Sequence, residues 1–190
     1  MPTAIDALLV DNNLFDAKLV EQLINSSELT KPTLRHTHLF NEAIVTLETT
    51  SVDVVLLDLG LANDDSAHTH TNNGISLLKQ LRSKAPQIPI VAMNSVSDHD
   101  MAVAAIKEGA QDYLVKPDVF SEERLQKLGY TNIGNLLIKT LQYAIQRAEL
   151  TQQLAISKER YELAVQGSND GIWDWDLCNQ TIYYSDRWLS

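Results

Sequence analysis

Six residues carry oxygen or nitrogen groups suited to an anionic substrate, and all stand at one kind of place. Asp11 and Asn12, Asp58, Asn94 and Ser95, and Lys116 each close or follow a short apolar run. A carboxylate can attack a phosphoryl group and form an acyl phosphate. The transferring group is highly anionic, so catalysis is mainly positioning and charge neutralisation. A hard divalent cation held by oxygen ligands suits that task, and Mg²⁺ commonly keeps several of its waters there. A lysine supplies a second positive charge. Asp11, Asp58 and Lys116 provide these parts.

The elements that must position them alternate along the chain. Strand-like runs cover Ala4 to Val10, Thr33 to Leu39, Val52 to Leu57, Ile88 to Met93 and Tyr113 to Val115. Between them, helical apolar spacing covers Leu14 to Ile24, Asn41 to Leu47, Ile75 to Leu81 and Met101 to Ile106, the last stopped by Gly109 as a C′ glycine. Five strands alternating with helices predict an α/β fold with a parallel sheet covered on both faces. Continuous rather than alternating apolar strands fit a doubly buried sheet. In such sheets the ligand site lies at the carboxyl ends of the strands, where the six residues wait.

The pattern changes after Lys116-Pro117. Ser121 to Leu128 predicts a small helix with Ser121 as N-cap, and Gly129 and Gly134 flank a short break. A long helix is expected from Asn135 to Gln166. Its residues Ile138, Leu141, Ile145 and Ala148 form a short seam that Gln152 interrupts. That seam fits a helix packed on its own domain as well as a coiled coil. The polar half, Glu149 to Arg160, is expected to project. Gly167 to Gly171 is a turn cluster. Ile172 to Leu177 alternates as a half-buried strand does, and Thr181 to Tyr184 is its expected hairpin partner.

The chain has 190 residues, 44% of them hydrophobic, which is enough for a packed core and argues against disorder. A net charge of -10 opposes general nucleic-acid binding, which needs basic surface. No apolar run is long enough for a signal peptide or a membrane span. One cysteine, Cys178, excludes an intrachain disulfide and fits a cytoplasmic location; packing is its plainer role.

Leu9-Val10-Asp11, Leu57-Asp58-Leu59 and Gly109-Ala110-Gln111-Asp112-Tyr113-Leu114-Val115-Lys116-Pro117 resemble the receiver domain of two-component response regulators, over about residues 4 to 148. The resemblance implies a doubly wound, flavodoxin-like five-stranded domain. It implies that a histidine kinase or phosphotransfer protein gives up a phosphoryl group to Asp58. It assigns Asp11 to an acidic metal pocket, Lys116 to the pocket lysine, Tyr113 to the switch aromatic and the Gly60 carbonyl to the metal. The metal set is then Asp11, Asn12, Asp58 and Gly60, holding Mg²⁺.

Three features depart from that pattern. Asn12 replaces the second carboxylate of the acidic pair; its amide oxygen can bind Mg²⁺ but brings no charge. Asn94, followed by Ser95, stands where a Ser or Thr hydroxyl meets the phosphoryl group. The loop from Gly60 to Asn73 is long, has Ala62 where proline is common, and carries Asp64, Asp65, His68 and His70. Its His-x-His pattern could hold a transition metal, with a solvated polar loop the plainer reading. A loop covering the Asp58 pocket would gate phosphotransfer. His36, His38 and His99 read as structural or surface residues.

Arg160 to Val165 and Asn169 to Asp176 resemble the opening of a PAS sensory domain, which implies a longer protein whose output follows. The expected division is a receiver at 1–148, with a loop insertion at 60–73 and an extra segment at 118–134, then a helical linker at 149–166 and the PAS start at 167–190. No separate catalytic domain is present. A diguanylate cyclase, cyclic-di-GMP phosphodiesterase or histidine-kinase output is what the arrangement implies downstream, with a homodimer through the long helix or the last helix–strand face. The competing reading is a pseudo-receiver, a protein-interaction module that works without phosphorylation, supported by Asn12 and Asn94. A haloacid-dehalogenase-type phosphatase would need a second Asp two residues after its nucleophile, where Gly60 stands.

Overall fold

A computed structural model describes residues 5–61, 73–168, 173–185 and 188. Five strands, β1 (Asp6–Val10), β2 (Thr33–Thr37), β3 (Val54–Asp58), β4 (Ile90–Asn94) and β5 (Asp112–Val115), form one parallel sheet in the order β2-β1-β3-β4-β5. The order reverses between β1 and β3, which opens a crevice at their carboxyl ends.

The central strands β1, β3 and β4 read as near-continuous apolar runs because both faces are covered. Leu8, Val10, Val55, Leu57, Ile90 and Ala92 point to one side, and meet α2 (Phe40–Thr49), α3 (Asn73–Lys84) and α4 (His99–Lys107) through Ala43, Leu78 and Ala105. Ala7, Leu9, Val54, Leu56, Val91 and Met93 point to the other. There they meet α1 (Leu14–Ser26), α5 (Lys116–Phe120), α6 (Glu122–Leu128) and the start of α7 (Tyr130–Ser168) through Val20, Phe120, Leu125 and Leu137. Each fully buried leucine of this kind contributes about 1.5–3 kcal/mol. Asn13 caps α1 by accepting from the Phe15 and Asp16 amides, and Asp98 does the same for α4.

Several expectations are corrected. The break is Gly129 alone, the C-cap of α6 at φ +79, and does not extend to Gly134: α7 starts at Tyr130 and runs 39 residues, straight through Gly134. A Cβ on Gly134 would overlap the Leu23 carbonyl oxygen, so glycine is present for close approach to α1, not to end a helix. Asn135 follows at once, accepting from the Ser27 hydroxyl and the Glu28 amide just past the end of α1. The helical face from Ile133 through Leu137 and Leu141 to Ala144 packs into the core, as a helix on its own domain. Ser121 holds the N-cap position of α6, but its side chain accepts no capping bond. The five-residue α5, which lies between β5 and α6, was not expected; Pro117 at its start fits a first helical turn.

The chain divides into two compact units, 1–148 and 149–190. In the second unit, α7 continues with residues 149–164 exposed. It also holds an antiparallel hairpin of β6 (Trp173–Asp176) and β7 (Thr181–Tyr184), paired Trp173 to Tyr184 and Asp176 to Thr181. The hairpin was expected; the half-buried face was not found, since Trp173 and Trp175 are 54% and 55% exposed. Two strands bury little without a covering layer. Cys178 is exposed in the connecting turn and does not pack. Among the described residues no helix is long and apolar enough to cross a membrane.

Candidate functional site

Parallel pairing brings every carboxyl end to one edge of the sheet. Val10 of β1 lies beside Leu57 of β3, Asp58 beside Met93 of β4, and Asn94 beside Val115 of β5. The residue after β1 is therefore Asp11, the last of β3 is Asp58, and the first after β5 is Lys116, which opens α5. All three are buried although charged: Asp11 is 0%, Asp58 4% and Lys116 5% exposed. Buried charges demand partners, and here the partners are one another. The Lys116 ammonium donates to Asp11 Oδ2 at 2.8 Å and to Asp16 Oδ2 at 2.7 Å, and lies 3.0 Å from Asp58 Oδ2.

The remaining carboxylate oxygens are held by backbone. Asp11 Oδ1 accepts from the Asn13 amide at 2.8 Å, and Asp58 Oδ1 accepts from the Gly60 amide at 3.0 Å. His36 Nε2 donates to the Asp11 carbonyl at 2.8 Å, and the Asp11 amide donates to the Thr37 carbonyl at 3.1 Å. His36 is thus structural, while His38 and His99 are exposed.

Burial raises the Asp11 carboxyl above its ordinary value. The Lys116 and Asn13 hydrogen bonds oppose that shift, and the charge of Asp58 adds to it. Burial alone would lower Lys116. The hydrogen bonds to Asp11 and Asp16 and the charges of Asp58 and Asp11 outweigh it, so the ammonium is held above the usual lysine range. Lys116 is charged at every physiological pH.

Three carboxylates against one ammonium leave the crevice negative. That excess of negative charge fits a site for a cation. Among the described residues no three His, Cys, Asp or Glu side chains enclose a ready-made metal position. A hard cation here would draw on Asp11 and Asp58 together with backbone, amide and water oxygens.

The other candidates sit around this node. Asn12 is exposed directly after Asp11, Asn94 is half-buried at the end of β4, and Ser95 is exposed next to it. Gly60 is exposed, and a Cβ there would stand 3.3 Å from Asp58 Oδ1, so the backbone passes close over the carboxylate. Tyr113 is half-buried against the α2–α3–α4 side of the core; its hydroxyl is buried and has no hydrogen-bond partner among the described residues. Asp64, Asp65, His68 and His70 lie outside the described residues.

Sequence reasoning missed Asp16. It lies in the first turn of α1, five residues after Asp11, and completes the ring of carboxylates on Lys116. An acidic residue in the first turn of the helix after a site-bearing strand was the available signal. That turn brings Asp16 within reach of Lys116 at the start of α5.

A family model described as the response regulator receiver domain matches residues 7–128. The DNA-binding transcriptional regulator NtrC of Klebsiella pneumoniae is 39% identical over 77 residues, covering 40% of this chain and 15% of that protein. The transcriptional regulatory protein ZraR of Salmonella typhimurium is 32% identical over 123 residues, covering 65% of this chain and 25% of that protein. The chain thus spans a quarter or less of these two curated relatives. Among solved structures, NtrX from Brucella abortus in complex with ADP is similar with a TM-score of 0.60 at 21% identity, over 84% of this chain and 30% of that one. A CheY-like receiver domain protein from Methanospirillum hungatei has a TM-score of 0.56 at 15% identity, over 78% of this chain and 99% of that one. A response regulator from Burkholderia pseudomallei, solved with a phosphorylated aspartic acid, calcium ion and citrate, has a TM-score of 0.52 at 22% identity, over 87% and 86%.

Proposed function

The chain belongs to the response regulator receiver family, and on that premise we propose that Asp58 accepts a phosphoryl group from a histidine kinase or phosphotransfer protein. The observation that carries this reading is the burial of Asp58 at the carboxyl end of β3, ion-paired to Lys116 and facing the same crevice as Asp11. An Asp58 carboxylate oxygen attacks phosphorus, and the bond from phosphorus to the donor's nitrogen breaks. The donor imidazole leaves with the electron pair and takes up a proton.

Lys116 is then the point charge beside the transferred oxygens, already charged and held by Asp11 and Asp16. Asn94 or Ser95 supplies a hydrogen-bond donor from the end of β4. Asp11, Asp58, the Asn12 amide oxygen and the Gly60 carbonyl would hold Mg²⁺, which would supply positive charge beside the phosphoryl group. Tyr113, whose buried hydroxyl has no partner among the described residues, is the aromatic that changes place on phosphorylation.

The signal leaves through α7 toward residues 167–190, which we read as the start of a PAS module feeding an output in cis. The hairpin at 173–184 supports that assignment. The acidic balance of the chain supports no direct contact with nucleic acid by these residues; NtrC, named as DNA-binding, is matched over 15% of its length. A cytoplasmic location and a homodimer complete the reading.

The test is incubation with acetyl phosphate and millimolar Mg²⁺, read by intact mass. One phosphoryl adduct is expected on the wild type and none on Asp58→Asn. A wild type that gains no adduct overturns the reading in favour of a pseudo-receiver, the alternative that Asn12 and Asn94 support.

A further inference from the structure

One side chain of the site has no task in that account. Asp16 takes the shortest of the three contacts that Lys116 makes, at 2.7 Å against 2.8 Å and 3.0 Å. The Lys116 contacts to Asp11 and Asp16 are hydrogen bonds, and its contact to Asp58 is an ion pair. The side chain of Asp16 is 20% exposed, so it lies at the mouth of the node, where Asp11 and Asp58 lie deeper at 0% and 6%.

Asn12 explains why a third carboxylate matters. An amide stands at the second position after β1 and contributes an oxygen without a charge. Without Asp16, the positive charge of Lys116 would be divided between Asp11 and Asp58 alone, and the crevice would keep one negative charge. With Asp16 it keeps two. The ammonium is also shared with a third carboxylate, so Asp11 and Asp58 retain more of their own field. In a partly buried site such charges are weakly screened and act over several ångströms.

Resting on the phosphoacceptor reading, we propose that Asp16 restores the negative charge that Asn12 lacks and, by holding Lys116, leaves Asp11 and Asp58 able to attract a divalent cation. Asp16 is a positioning residue: it acts through Lys116 and need not touch the ion. The charge of the acidic pair has moved from the strand end to the first turn of the next helix. That turn is held in place by the Asn13 cap, whose Oδ1 accepts from the Asp16 amide.

The experiment is Mn²⁺ titration of the full chain followed by the electron paramagnetic resonance of free Mn²⁺. It compares wild type, Asp16→Asn, Asp16→Glu and the double variant Asn12→Asp with Asp16→Asn. Asp16→Asn is expected to weaken Mn²⁺ binding roughly tenfold, the size of one unit charge in a partly screened site. Asp16→Glu should stay within about twofold of wild type, and the double variant should return to it, because a carboxylate at position 12 restores the charge. A side chain that only braces the fold would not be rescued from position 12. Circular dichroism monitors folding, with Asp16→Ser as the second neutral variant should Asp16→Asn unfold.

Unchanged affinity in the neutral variant, or no rescue by Asn12→Asp, overturns this inference. The phosphoacceptor reading stands in that case if wild type still gains its phosphoryl adduct on Asp58. A wild type that binds Mn²⁺ but gains no adduct overturns the reading on which the inference rests.

Discussion

Lys116, the first residue after β5, reaches past β4 to lie 3.0 Å from Asp58 at the end of β3. The two strands are not neighbours, so the pair ties together ends of the sheet that no backbone hydrogen bond connects. Its geometry sets what the protein loses when either member changes.

Replacing Lys116 with Met leaves Asp11 and Asp58 buried without their counter-charge. A loss of about 3 kcal/mol in urea unfolding at neutral pH is expected, the usual cost of breaking a buried ion pair from one side. The raised value of Lys116 gives the pH dependence its sign. Stability from this group is fully present below lysine's ordinary 10.5 and is lost as pH rises through the higher folded value. The wild type should therefore lose stability more steeply than Lys116→Met above pH 10.5. Parallel alkaline profiles would show that the ammonium is not held by these carboxylates.

Gly134→Ala should destabilise the first unit by about 1–3 kcal/mol, the cost of overpacking a tight contact. The added methyl meets the Leu23 carbonyl, which is fixed in α1 and cannot swing away as a side chain could. Thermal unfolding reads the change. A variant as stable as wild type would mean that α1 and α7 are not so close.

The hairpin turn should be acid-sensitive. Asp176 accepts from the Asn179 amide at 3.0 Å, from the Asn179 side chain at 2.8 Å and from the Cys178 amide at 2.9 Å, and these bonds hold its carboxyl below the ordinary 3.8. A depressed carboxylate stabilises the fold above its ordinary value and ceases to do so as pH falls through the depressed one. The near-ultraviolet dichroism of the tryptophans should hold steady down to about pH 4 and fade below it. In Asp176→Ala the same signal should be weak at neutral pH and lack the acid step. An acid step surviving in that variant would assign it to another group.

Tryptophan fluorescence should report three wet indoles. Trp173, Trp175 and Trp188 are 54%, 55% and 52% exposed, so emission should lie near that of free indole and yield readily to acrylamide. A blue-shifted, poorly quenched spectrum would show that another surface covers this face, as a large exposed apolar patch invites.

How much of this was readable beforehand depends on whether a feature is local. Val54 to Leu57 is an unbroken apolar run that ends at Asp58, and a run of that kind becomes a doubly covered strand wherever it lies in a sheet. The same holds for Leu9-Val10-Asp11 and for Val115-Lys116, so the strand ends and the three charged residues on them were readable in order. The hairpin at 173–184 followed from alternation alone.

What the sequence by itself determined is therefore the strand ends, their charges and the periodicity of each segment, because these depend on neighbours a few residues away. Tertiary structure decided the rest. Gly134 reads as a helix breaker until α1 lies against it and makes a Cβ intolerable. Trp173 and Trp175 read as half-buried, yet alternation says only that two faces differ, and coverage depends on what packs against them. Asp16 reads as a first-turn acid of α1, and only the fold brings it within 2.7 Å of a lysine 100 residues away. Contacts at such separation are set by how layers stack, and no local pattern carries that information.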